Sequence, residues 1–146
     1  MHIKKGLAMH VHHEKFVEWC FDYDKRAEFI RTEKPPEERE TRLRLFKLFK
    51  GELPPGVVEA GLVYDEARQA YDKAYQVYDK AHWTFKKAYL AYIEARRVFN
   101  KANLAYSEAW QVYDEILNKN MPAIEALHRI ECPNCPWDGH TIFPKT

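Results

Sequence analysis

The sequence predicts a mainly α protein: a long antiparallel helical hairpin or coiled coil built on Tyr/Ala heptads, with a small α+β head assembled from both termini. Three observations predict it. Residues 62–121 contain no Gly and no Pro and repeat every seven residues. The flanking segments are short, switch between alternating and helical patterns, and are broken by Pro and Gly clusters. Neither flank is long enough for a good core by itself, so the two are expected to combine.

Taken in order, residues 6–13, GLAMHVHH, alternate as a short strand would. Leu7, Met9 and Val11 share one face, and His10 and His12 the other. Residues 14–32 then show three- and four-residue spacing through Phe16, Cys20, Tyr23, Ala27 and Ile30, which predicts a first helix. Pro35-Pro36 breaks the chain, and residues 36–50 predict a second helix with Pro36 at its first position and glutamates in its first turn. The run RLRLFKLFK also alternates, a weaker argument for a strand. The head thus takes residues 1–56, the heptads 57–121, and a C-terminal part of the head 122–146. That last part holds a short helix, PAIEALHRIE, and a possible strand at HTIF.

With Tyr64 as heptad position a, that position holds Tyr64, Tyr71, Tyr78, Phe85, Tyr92, Phe99, Tyr106 and Tyr113. Position d is alanine from Ala67 to Ala109, position g alternates among valine, alanine and threonine, and position c is always charged. Such a pattern presents one seam to a partner helix. Small residues at d and g let backbones approach, and the rings are expected to fill the space beside the partner's alanines. A tyrosine hydroxyl can stay at the rim of the seam, within reach of water or a carboxylate. A single helix over this run would be about 90 Å long. It could bury its seam only by forming a homodimer or by folding back on itself. The hairpin is preferred because it forms the head within one chain. Asn100 and Asn103, in RRVFNKAN, mark the expected turn.

The chain has 23 Lys and Arg against 22 Asp and Glu, so no overall charge draws it to nucleic acid or an anionic membrane. No apolar run approaches the ~20 residues of a membrane span, and no signal peptide is legible. A cytoplasmic location is expected. Three cysteines without a secretion signal argue against a disulfide framework.

The strongest chemical motif is Cys132-Pro-Asn-Cys135-Pro-Trp-Asp-Gly-His140. This short segment resembles the knuckle of a zinc ribbon, although no second C-x-x-C completes the ribbon pattern. The resemblance implies a tetrahedral zinc site with two thiolates. The remaining donors are expected from two of His10, His12 and His140, which would staple head to tail. Cys20 reads as a core residue, and His82 and His128 as structural residues of helices.

Three functions follow in order. The first is a non-catalytic interaction or scaffold protein that oligomerises through the heptads and binds a protein partner, with a structural zinc. The second is a nucleic-acid-associated or inhibitor-like binding protein of the kind phages and mobile elements carry. It would use Arg39, Arg42, Arg44 and Lys47 on the second helix, or a basic hairpin tip of Lys86, Lys87, Arg96, Arg97 and Lys101. The third is a small metal-dependent hydrolase, which the H-x-H of His10 and His12 resembles. No phosphate loop, nucleophile elbow or H-E-x-x-H supports an enzyme.

Overall fold

The computed structural model describes residues 2–83 and 89–145. These residues form five helices and one three-stranded sheet, and they divide into two compact units. One unit comprises residues 1–58 together with 120–146; the other is Glu59–Lys119.

The first unit is the head. Strand β1 (Gly6–Met9) lies at the centre of an antiparallel sheet of order β2-β1-β3. Strand β2 (Val17–Cys20) pairs with it from Gly6↔Cys20 to Met9↔Val17, closing a hairpin over residues 10–16. Residues 17–20 are therefore a strand and not the start of a helix. Val17 and Trp19 are buried on one side of the alternation, a pattern that the longer three- and four-residue spacing had masked. Helix α1 (Tyr23–Glu33) starts only where Asp22 caps it, its carboxylate accepting from the Lys25 N–H.

Helix α2 (Pro36–Leu45) is shorter than residues 36–50, because the chain leaves it at Phe46 to form β3 (Lys47–Leu48) against Ala8 and Met9. Arg42 and Leu45 are buried on it, and Phe46 is buried just beyond it. Ala8, Cys20, Ala27, Ile30 and Phe46 pack together on one side of the sheet. On the other side Met9 and Leu45 pack with Cys132 and Ile142. The C-terminal residues thus complete the core of the N-terminal ones. Residues 140–143 form no strand; Ile142 is buried and its N–H reaches the His13 carbonyl at 3.1 Å.

The second unit is an antiparallel helical hairpin made from α3 (Val57–Trp83) and α4 (Tyr89–Lys119). Ring meets ring along the seam. Tyr64 stacks on Tyr113 at 5.2 Å between centroids, Tyr71 on Tyr106 at 5.2 Å, and Tyr78 on Phe99 at 5.1 Å. Ala74, Ala81 and Ala95 are buried beside them and hold the backbones close. The expectation of ring against alanine is corrected here: in-phase antiparallel pairing brings position a to position a. The Tyr64 hydroxyl meets the Tyr106 hydroxyl at 3.4 Å.

Asn100 and Asn103 lie within α4, so the chain does not turn there. The reason is the length of the repeat. Pairing the first ring, Tyr64, with the last, Tyr113, requires the chain to reverse before α4 begins. A turn at residues 96–103 would leave the early rings of α3 without partners.

Helix α5 (Met121–Glu131) belongs to the head. Its Glu131 carboxylate accepts the backbone N–H groups of Lys50 and Gly51 at 2.9 and 2.6 Å. No helix among the described residues is long and apolar enough to cross a membrane.

Candidate metal centre

Four donors from three places in the head converge. His10 follows β1 and His128 is in the last turn of α5. Cys132 caps that helix, and Cys135 closes the C-P-N-C knuckle. Their ligand atoms all lie within 4.8 Å of one another. His10 Nε2 is 3.1 Å from His128 Nε2 and 3.1 Å from Cys135 Sγ. A tetrahedral zinc with ordinary bond lengths has edges of roughly 3.3 Å between two nitrogens and roughly 3.6 Å between nitrogen and sulfur. The observed spacing is close to that, and the longest separation needs to contract by roughly 1 Å.

Local sequence explains each placement. His128 and Cys132 are four residues apart, so they share one face of α5, and the Cys132 N–H donates to the His128 carbonyl at 2.8 Å. In the knuckle, Asn134 adopts φ 57°, a left-handed conformation that asparagine tolerates better than most residues. His10 has φ 51°, unusual for its type, as the chain turns off β1. Two left-handed non-glycine residues, one a donor and the other between two donors, mark strain concentrated at a site.

The shell around the cluster sets its chemistry. His10 Nδ1 lies 3.3 Å from the Lys15 carbonyl, which can only accept. The proton is therefore on Nδ1, and the Nε2 lone pair faces the other three donors, as in outer-shell support of a metal-bound imidazole. Burial, followed by repulsion from His128, lowers the His10 pKa to about 4. Burial also lowers that of His128. Burial and the neighbouring Cys135 thiol push the Cys132 thiol well up, against a smaller opposing pull from Lys47 and Arg44. Without a metal, His10 and His128 are thus neutral imidazoles and Cys132 a thiol. A divalent cation would replace the thiol protons and satisfy all four donors. Met9, Leu45, Ile142 and Trp137 keep the surroundings apolar. An open cleft of about 700 Å³, walled by Phe16, Glu125, Arg129 and Trp137, leads to His128, Cys132 and Cys135 and gives an ion a way in.

No protein-family model, curated protein or solved structure matches the chain. The geometry is therefore the basis for assigning the site.

Of the five residues expected at a metal, Cys132, Cys135 and His10 are brought together. His12 and His140 are not in the group. His12 is exposed and its Nδ1 is 2.6 Å from Glu18 Oε1. His140 is exposed, and its backbone N–H, like that of Thr141, donates to Asp138 Oδ1 at 2.8 Å. His128 stands in their place. Its spacing to Cys132 was the available signal, since Ile124 and His128 share the buried face of α5.

The expected basic surfaces are dispersed. Arg42 is buried, bonds Glu38 and lies over the Phe143 ring. Arg39 donates to the Lys34 and Thr32 carbonyls. Arg44 and Lys47 are exposed. In the hairpin, Arg96, Arg97 and Lys101 are exposed, with Arg97 paired to Glu94 at 2.7 Å. Lys86 and Lys87 lie outside the described residues.

Proposed function

We propose that the chain is a non-catalytic interaction protein whose head is folded around a structural zinc ion and whose hairpin presents a surface to a protein partner. The observation that carries the reading is the convergence of four buried or half-buried donors, two imidazoles and two thiols, from the two ends of the sequence. A Cys₂His₂ set fills a tetrahedron with protein atoms and leaves no position for water or substrate, the mark of structural zinc sites. The same reasoning disfavours a hydrolase, which would need an open position and would use His12. Nucleic-acid binding has less support, because Arg39 and Arg42 already serve the fold.

Native and denaturing mass spectra of the purified protein test this. The expected result is one zinc per folded chain, lost on denaturation, with the head unfolding on chelation. A folded chain that takes up no metal when zinc is supplied would sink the proposal.

A further inference from the structure

We infer that the hairpin is half of a four-helix bundle and that the other half is a second copy of this chain. This deepens the interaction reading above but does not depend on the zinc.

Two helices that pair only with each other need apolar residues at a and d. Here a third column, g, is also small or apolar in every repeat. Because the helices are antiparallel, the g residues of both lie on the same face of the hairpin. They are exposed: Val63 52%, Val77 58%, Val98 43% and Val112 51%. A groove of about 540 Å³ runs between them, floored by Ala74 and Ala95 and edged by Lys73 and Glu94. On the opposite face position e is mixed: Arg68, His82, Arg96 and Asn103 interrupt Tyr75, Tyr89, Trp110 and Leu117. Three apolar columns per heptad describe a helix with two helical neighbours, and the hairpin supplies one.

The shape of the face argues for a second copy as the occupant. The ring register sets Val63 level with Val112, Ala70 with Ala105, and Val77 with Val98. Raised valine rungs therefore alternate with low alanine rungs, about 10 Å apart. A second copy turned by a two-fold axis between the Ala70 and Val77 rungs places the Val77/Val98 rung over the Ala70/Ala105 rung. Ala70 then faces the second copy's Val77, and Ala105 its Val98, large against small in each layer. The same rotation sets Glu66 opposite the second copy's Lys80 and Lys80 opposite its Glu66, two pairs of opposite charge that flank a Lys73–Lys73 pair at the axis. On the α4 edges Glu94 faces Glu108 and Lys101 faces the second copy's Lys101; Arg97 already neutralises Glu94. The contact is isologous and closes on itself.

Sedimentation velocity with native mass spectra at about 50 µM chain reads the chain count and the zinc count separately. A dimer is expected. Val77→Lys with Val98→Lys should give a monomer of unchanged helical content, since both side chains are exposed in the single hairpin. Lys80→Glu should weaken the dimer roughly tenfold, and adding Glu66→Lys should restore it. A monomeric wild type, a dimer that survives the double lysine variant, or a charge swap that fails to restore association overturns the inference. Each of these results is independent of whether zinc is found.

Discussion

At the scale of single residues, the metal cluster makes the sharpest demands. Replacing His128 or Cys135 by alanine should abolish stoichiometric zinc uptake, whereas His12→Ala and His140→Ala should leave it intact; a zinc-binding titration separates the two groups. Because burial holds the Cys132 thiol protonated without metal, zinc should displace protons on binding near neutral pH. Calorimetry in buffers of different ionisation enthalpy counts them. In the chelated protein, the lowered pKa of His10 means that the unfolded chain binds more protons between about pH 4 and 6.5. The zinc concentration that half-folds the chelated head should therefore fall as pH rises across that window, as zinc back-titration followed by near-ultraviolet circular dichroism at several pH values would report. Gly51 makes a different demand. A Cβ there would lie 2.8 Å from both Glu131 Oε1 and Leu127 Cδ2. Both are ends of flexible side chains, so Gly51→Ala should cost about the hydrogen bond to Glu131 that it displaces, roughly 1 kcal/mol, read by urea denaturation. The cysteines and His10 were legible in the sequence because C-x-x-C is local and distinctive. His128 was not, because a histidine inside an amphipathic helix looks like any half-buried polar residue until the fold brings strand and helix together.

At the scale of elements, the hairpin is a ladder of rings. Each stacked pair adds about 0.5–1.5 kcal/mol beyond burial, and Tyr71 touches Phe99 and Tyr106 as well as its own neighbour Tyr75. Tyr71→Ala should cost roughly 3 kcal/mol. The loss should appear as a lowered melting temperature of the helical signal, while zinc stoichiometry is unchanged. Here the sequence was informative about which face is buried and poorly informative about which positions meet and where the chain turns. A strict heptad states which face is buried, but an uninterrupted phase contains no mark of where the chain reverses. Only the requirement to match first ring with last fixes it. The short strands were harder still. Four-residue elements such as β2 owe their state to a neighbour in the sheet, and the apolar spacing around them fits a helix almost as well.

At the scale of the whole molecule, the two units are stabilised by different means: an aromatic seam in one, and a small core with a candidate metal centre in the other. Chelation should therefore remove the head's tertiary signals while leaving most of the hairpin's helicity. Near-ultraviolet and far-ultraviolet circular dichroism, followed together during chelator titration, will distinguish this from a single cooperative collapse.

The sequence separation of the donors has a consequence for biosynthesis. His10 lies 118 residues before His128 and 125 before Cys135. A chain emerging from the ribosome offers His10 alone of the four donors until His128 is made, and then gains the other three within eight residues. A metal that needs all four would wait for the hairpin to be made first. A product interrupted in or before the hairpin lacks three of the four donors and could not fill such a site.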